Sequence, residues 1–210
     1  MQSSDEAARY LKSCESTFWE KVFTAELDYL LQQLKTDDEI LSVGCGPAIM
    51  ESSLASKGFM IVGLDVSREA LACAGDAIRA VAASAEEMPF PDASFDVVLY
   101  IVSLQFIDDY RKALERTAQV LRPGGRMIAM LLNPASPFFK TRCDTSDSYV
   151  RKLKHTDLQA IKQSASVWLQ TEGDYFLGID GEELFPSADP AQAALYILKG
   201  VKRQEPVALS

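Results

Sequence analysis

Hydrophobic and polar residues follow two different periods along the chain, one typical of helices and the other of strands. From Val22 to Leu34 the apolar residues recur three and four positions apart, and the Thr17-Phe18-Trp19-Glu20 segment before them has the form of a capping box. This pattern predicts an amphipathic helix of about 18 residues that begins at Thr17.

Short β-rich segments follow this helix, and helical segments separate most of them. The predicted strands are residues 39–43, 59–64, 78–81, 95–100 and 127–132, and the predicted helices begin near Ile49, Ser67 and Asp108 or Asp109. Strands that alternate with helices every ~20 to 30 residues indicate βαβ units and a parallel sheet. We therefore predict an α/β fold, doubly wound, with helices on both faces of the sheet.

The C-terminal part of the chain follows a different pattern. The Thr156-Asp157-Leu158-Gln159 segment is another capping box and predicts a short helix. Two later strand-like runs, residues 166–179 and 194–201, have no crossover helix between them, so we expect them to pair antiparallel. The complete prediction is a mostly parallel seven-stranded sheet with an antiparallel C-terminal strand pair.

The composition of the chain argues against several classes of function. The chain has 210 residues and a net charge of -9, whereas a nucleic-acid binder needs a basic surface to release phosphate counterions. Its four cysteines include no C-x-x-C pair and His155 is the only histidine, so we expect no metal site. The longest apolar run, residues 127–132, is too short to span a bilayer. We therefore expect no nucleic-acid and no membrane partner. Isolated thiols suit a reducing compartment, so we expect the protein to be cytoplasmic.

Candidate chemistry begins at the turn Gly44-Cys45-Gly46, which connects the first strand to the next helix. Glycines let a backbone approach a ligand closely, and a doubly wound sheet binds ligands at the carboxyl ends of its strands. Asp65 ends the second strand, where a carboxylate can accept both ribose hydroxyls of an adenosine. The alternatives are a tight turn without a ligand and an aspartate that caps a helix. Ile49 occupies the third glycine position of a nicotinamide fingerprint, which favours a ligand without phosphates.

Five segments of the chain, in this order, resemble the motifs of class I S-adenosylmethionine-dependent methyltransferases, and most closely those of the small-molecule branch. The segments are ILSVGCG (residues 40–46), LDVS (64–67), AEEMPF (85–90), SFDVV (94–98) and VLRPGG (120–125). The resemblance implies a Rossmann-like methyltransferase fold in one domain, residues 1–210. Its parts are an N-terminal helical cover (1–36), a cofactor-binding core (37–132), an insert and helix (133–165) and the C-terminal strand pair (166–203).

The resemblance also implies S-adenosylmethionine as the cofactor and assigns residues to it. They are Gly44, Cys45 and Gly46 for the methionine part, Asp65 for the ribose, Val66 and Met88 for the adenine faces, Ala85 and Glu86 for the adenine edge, Tyr100, just past the fourth strand, for the methionine part through its backbone, and Tyr10 as an aromatic cover. For Tyr10 the alternative is a packed helix tyrosine. Three positions depart from the family pattern, which has acidic residues at Ser42 and Ser84 and glycine at Ala48.

The implied activity is methyl transfer by in-line displacement, which needs orientation and a dry pocket more than a catalytic base. His155 is the candidate if a base is used, and the alternative is a surface residue before a helix cap. No Asn-Pro-Pro-aromatic segment follows the fourth strand, which favours a small-molecule acceptor. Its pocket would include Phe138, Phe139 and Tyr149, which could equally be core residues. The other function classes are a cofactor-binding regulator without turnover and a nicotinamide-dependent oxidoreductase.

Overall fold

A computed structural model describes residue 14 and residues 16–76, 78–145 and 148–203 of the chain. Tyr10 lies outside these residues, as does most of the segment that precedes the first helix. The helices are α1 (Thr17–Gln33), α2 (Ile49–Ser56), α3 (Arg68–Ala72), α4 (Tyr110–Val120), α5 (Pro137–Cys143) and α6 (Leu158–Ser166). Short 3-10 helices cover Ala85–Glu87, Leu104–Phe106 and Tyr149–Lys152.

All strands in the described part of the chain form one sheet in the order β3-β2-β1-β4-β5-β8-β6-β7. They are β1 (Glu39–Val43), β2 (Met60–Asp65), β3 (Arg79–Ala82), β4 (Phe95–Ile101), β5 (Leu121–Leu132), β6 (Leu169–Asp180), β7 (Glu183–Phe185) and β8 (Ala193–Lys202). Strands β1 to β5 pair in parallel, whereas β8 pairs antiparallel with both β5 and β6. The predicted mostly parallel, doubly wound sheet with an antiparallel C-terminal pair is confirmed.

Adjacent residues of the central strands point to opposite faces of the sheet, and each face has its own core. Ile40 and Leu99 belong to a cluster that includes α1, α2 and α5, whereas Leu41 and Tyr100 belong to a cluster that includes α4 and α6. Because both faces are covered, the inner strands are almost continuously apolar, as buried parallel strands are.

Side-chain caps begin most of these helices, but two caps differ from the predicted ones by one residue. Ser16, not Thr17, caps α1 and accepts from the Trp19 N–H at 3.4 Å. Asp157, not Thr156, caps α6 through the Ala160 N–H at 2.9 Å. The predicted caps were wrong because Ser, Thr and Asp all accept such hydrogen bonds and stand side by side in both segments.

Two strand predictions also need correction. β5 begins at Leu121, six residues before the predicted start, because Leu121 pairs with Phe95 before the Pro123-Gly124-Gly125 segment bulges away from β4. The sheet has eight strands in the described residues rather than seven. The additional strand β7 has three residues and folds back on β6 through a turn at Gly181 and Glu182.

Candidate functional site

The turn between β1 and α2 has a backbone that only small residues can adopt. Gly44 has a φ of +73°, and a Cβ at this position would lie 2.6 Å from the Cβ of Ser103. The Gly44 N–H donates to the Leu64 carbonyl at 2.7 Å, and the Ser103 hydroxyl donates to the Val43 carbonyl at 2.5 Å. These contacts hold the turn against the ends of β2 and β4. Gly46 also has a positive φ, +53°, but a Cβ there would meet nothing within 4 Å.

Asp65 connects this turn to the end of β2. One carboxylate oxygen accepts from the Gly46 N–H at 2.8 Å and the other accepts from the Ser67 N–H at 2.8 Å. The helix cap of α3 is Ser67 itself, through the Ala70 N–H, so Asp65 is not the cap. A carboxylate has about four acceptor positions, and these bonds leave about two for a ligand. Asp65 therefore combines a structural contact with a free edge beside the glycine turn.

Cys45 contributes backbone rather than thiol chemistry. A Cβ on Gly63 would lie 2.7 Å from the Cys45 sulfur, so the thiol packs onto β2. Burial, together with the carboxylates of Glu51 and Asp65, raises the pKa of this thiol far above its usual value. The thiol consequently stays protonated, and the Cys45 N–H donates to the Leu64 carbonyl at 3.2 Å.

The residues assigned to the adenine lie after β2 and β3. Val66 is 78% exposed, whereas Met88 and Ala85 are buried. Glu86 lies in the short 3-10 helix Ala85–Glu87 that Ser84 caps, and its carboxylate accepts from the Asp109 N–H at 2.9 Å. The loop therefore holds its shape without an acidic residue at Ser84, because a serine hydroxyl provides the cap.

Tyr100 lies within β4 rather than just past it. Its side chain is fully buried on the α4 face of the sheet, and its hydroxyl lies 2.6 Å from the Thr117 hydroxyl. Its side chain is therefore not available to a ligand, its backbone pairs with Ala129 of β5, and the backbone contact that the resemblance implies stays a prediction.

Glu51 is a site residue that sequence reasoning missed. It lies in the first turn of α2, is 2% exposed, and accepts a hydrogen bond from the Ser42 hydroxyl at 2.5 Å. Burial raises its pKa to about 7, and the nearby Asp65 contributes in the same direction. A carboxyl thus lies beside Ser42 although Ser42 itself is neutral. The sequence feature that could have identified Glu51 is its position on the apolar face of α2, beside Met50 and Leu54.

His155 and Gln105 hold the loop that follows β4. The Nε2 of His155 lies 2.9 Å from the Ile107 carbonyl and 3.1 Å from that of Asp108, and its ring packs against Tyr110. Gln105 is fully buried and bonds to both backbone groups of Leu132. Two carbonyl acceptors favour the tautomer with the proton on Nε2, which leaves the lone pair of His155 on Nδ1, so the role of a base stays a prediction.

The arrangement of glycine turn, strand-end aspartate and following loops matches a known domain. Residues 41–129 match the model of a methyltransferase domain. Over these residues, 89 of 210, the chain is similar to methyltransferase domains. The chain is 34% identical over 125 residues to demethylmenaquinone methyltransferase of Corynebacterium glutamicum, covering 59% of the chain and 52% of that protein.

A second relative of the methyltransferase chain covers more of its length. Malonyl-[acyl-carrier protein] O-methyltransferase of Pseudescherichia vulneris is 29% identical over 180 residues, which are 83% of the chain and 69% of that protein. The chain spans about half the length of most curated relatives that it matches. Among solved structures, a SAM-dependent methyltransferase of Thermotoga maritima has a TM-score of 0.80 at 16% identity, covering 95% of this chain and 97% of that one.

The glycine turn of this methyltransferase domain fits the cofactor that the family uses. The space above Gly46 is open where a Cβ would project, and the free edge of Asp65 lies beside it. Ala48 stands in the left-handed region with a φ of 57°, so the backbone keeps the conformation that a glycine would adopt there without strain. The residues present therefore fit an adenosine and a methionine moiety.

Other parts of the described chain add no competing site. No helix in residues 16–76, 78–145 and 148–203 is long and apolar enough to cross a membrane. Among the same residues no group of three His, Cys, Asp or Glu side chains could hold a metal ion. A shallow depression along the outer face of α1, between Thr17 and Asp28, shares no residue with the glycine turn.

Proposed function

We propose that the chain transfers the methyl group of S-adenosylmethionine to a small-molecule acceptor. The observation that carries the proposal is the carboxylate of Asp65, which ends β2 and accepts the Gly46 N–H at 2.8 Å. This contact places the carboxylate that we assign to the ribose directly beside the glycine turn, at the carboxyl ends of the strands. Such an edge is where doubly wound folds bind adenosine-containing ligands.

Each part of the turn has a role toward the bound cofactor in this proposal. Asp65 accepts the ribose hydroxyls, and the backbone of Gly44, Cys45 and Gly46 surrounds the methionine part. Met88 and Val66 contact the two faces of the adenine, and Ala85 and Glu86 contact its edge. The cofactor supplies an activated methyl group, so the chain has to orient the acceptor and exclude water.

The acceptor side is formed by the N-terminal helix and the insert after β5. Phe18 of α1 stacks on Phe138 of α5 with ring centroids 6.3 Å apart, and Trp19 lies 6.4 Å from Tyr149. Phe139 is buried in the same cluster. Aromatic side chains of this kind suit an apolar small molecule rather than a polymer backbone. The net charge of -9 likewise argues against a nucleic-acid acceptor.

The location that we propose is the cytoplasm. None of the four cysteines, all of which lie in the described part of the chain, forms a disulfide. Cysteines that form no disulfide suit a reducing compartment, where S-adenosylmethionine-dependent reactions of small metabolites can proceed.

Two glycines provide a matched test of cofactor binding. Gly46 and Gly75 both have positive φ values, +53° and +64°, and a Cβ on either would meet nothing within 4 Å. Gly46→Ala and Gly75→Ala therefore carry a similar folding cost, about 1 to 2 kcal/mol. We expect only Gly46→Ala to weaken S-adenosylhomocysteine binding, by roughly 10-fold or more, in isothermal titration calorimetry.

Calorimetry also separates the alternative functions. Binding of NAD and not of S-adenosylhomocysteine would assign the chain to the oxidoreductases. Binding of the cofactor without transfer of a labelled methyl group, across a broad panel of small hydroxyl, amine and carboxyl compounds, would favour a regulator. If both glycine variants lost affinity for S-adenosylhomocysteine equally, the glycine turn would not be part of the cofactor site.

A further inference from the structure

Glu26 is a carboxyl in the middle of the buried face of α1. The buried residues of this helix are Phe18, Val22, Glu26 and Leu30, which follow one another at intervals of four and form a single stripe. Only 4% of Glu26 is exposed. An acidic residue almost never occupies such a position unless it has a partner, so its presence needs an explanation.

The described residues supply no such partner. The structure gives Glu26 no hydrogen bond or ion pair among them, and burial raises its pKa to about 8. Burial raises the pKa of the Tyr149 hydroxyl, the Glu26 carboxylate raises it further, and Arg142 lowers it. Glu26 on the buried face of α1 and Tyr149 in the 3-10 helix of the insert therefore lie close enough to interact.

An aromatic cluster with one guanidinium lies beside Tyr149, whose ring is 6.4 Å from that of Trp19. Phe138 lies 6.3 Å from both Phe18 and Trp19, and the guanidinium of Arg142 lies 5.4 Å to 5.6 Å from the centres of all three rings. A positive charge that already covers these rings disfavours a cationic ligand. It favours a ligand whose polar atom becomes negative during reaction.

The loop after β4 connects this aromatic cluster to the glycine turn. Ser103 contacts Gly44 and the Val43 carbonyl, and three residues later the ring of Phe106 stacks on Tyr149 at 6.2 Å. One short 3-10 helix, Leu104–Phe106, therefore has the cofactor turn at one end and the aromatic cluster at the other. The two sites are neighbours.

Resting on the function proposed above, we infer that Glu26 is the proton acceptor for a planar, apolar substrate methylated on a hydroxyl oxygen. The Glu26 carboxylate takes the hydroxyl proton while the oxygen forms its bond to the methyl carbon. The carbon–sulfur bond breaks, its electron pair stays on sulfur, and the products are a methyl ether, a neutral thioether and protonated Glu26. Arg142 and the Tyr149 hydroxyl stabilise the charge that develops on the oxygen.

The test uses 2-naphthol and 2-methoxynaphthalene as probes, because they share the ring system and differ in the hydroxyl hydrogen. Binding is measured by calorimetry at pH 8.5 in saturating S-adenosylhomocysteine, where no turnover occurs. We expect the wild-type protein to prefer 2-naphthol by about 10-fold or more, the value of one charge-assisted hydrogen bond. Glu26→Gln should reduce this preference to about 3-fold or less. Glu20→Gln, on the exposed face of the same helix, should keep it.

Two further measurements keep the outcomes distinct. Tyr149→Phe retains the ring, and should lower the preference for 2-naphthol less than Glu26→Gln does. S-adenosylhomocysteine affinity and circular dichroism should be unchanged in all three variants. A protein that binds S-adenosylhomocysteine but binds both probes equally, binds neither, or keeps its preference in Glu26→Gln would overturn the role of Glu26. Failure to bind S-adenosylhomocysteine would instead contradict the proposed function.

Discussion

Replacing Asp65 with alanine removes the group on which the cofactor assignment depends. In the structure one oxygen of this carboxylate accepts the Gly46 N–H and the other accepts the Ser67 N–H, both at 2.8 Å. The remaining acceptor positions are available to the ribose hydroxyls. Loss of a hydrogen bond to a charged group costs about 1.5 to 3 kcal/mol, so we expect affinity for S-adenosylhomocysteine to fall roughly 10 to 150-fold.

The same substitution also releases two backbone N–H groups, so a loss of affinity alone could come from a distorted turn. Adenosine and 2′,3′-dideoxyadenosine separate the two effects, because only adenosine carries the hydroxyls that Asp65 would accept. In competition calorimetry the wild-type protein should prefer adenosine, and Asp65→Ala should bind the two nucleosides with similar affinity.

A control for the turn is Ser67→Ala, which removes the cap of α3 and leaves the Asp65 carboxylate in place. This variant should lose about 1 kcal/mol of stability and keep its preference for adenosine. If Asp65→Ala still prefers adenosine over the dideoxynucleoside by the wild-type factor, then Asp65 supports the turn and does not bind the ribose.

Three further predictions concern stability. Burial raises the pKa of Glu51 from 4.5 to about 7, so the stability that its protonated form contributes to the folded state is fully present below pH 4.5 and is lost as the pH rises through 7. Glu51→Gln should therefore flatten the pH dependence of urea unfolding between pH 5 and 8, by about 2 to 3 kcal/mol; an unchanged slope would contradict the burial argument. Thr117→Val should cost about 1 to 3 kcal/mol because it leaves the buried Tyr100 hydroxyl with only the Ala113 carbonyl at 3.4 Å, and the double variant with Tyr100→Phe should recover most of this loss. Ala48→Gly should raise the melting temperature, since it relieves about 1 kcal/mol of left-handed strain, and a lower melting temperature would show that the strain is absent.

Strand and helix order could be predicted because each βαβ unit carries its own signal in the sequence. Apolar runs, serine and aspartate caps, and the glycine turn at Gly44 are all local, so α3 begins after Ser67 and α4 after Asp109 as expected. Asp65 and Gly46 are 19 residues apart, but a parallel sheet brings the carboxyl ends of neighbouring strands together. The sequence could therefore predict that Asp65 and Gly46 lie close together, although not the hydrogen bond between them.

The contacts of Glu51 and Glu26 could not be predicted in the same way. Each is an acidic residue within an amphipathic helix, and the sequence alone does not distinguish an acid at the edge of the apolar stripe from one inside it. The helix rotation that buries Glu26 depends on how Phe18 packs against Phe138, 120 positions away in the chain. Likewise, the role of His155 depends on carbonyls of residues 107 and 108, which the fold brings to it.

The position of β8 has a consequence for how the protein is made. β8 lies between β5 and β6, and β6 has no other partner except the three-residue β7. Until residues 193–202 pair, β5 has one unpaired edge and the twelve residues of β6 have only the short strand β7 beside them. Unpaired edges bind other chains, so a folding chain that has not yet formed β8 exposes two of them at once. Formation of this one strand closes both.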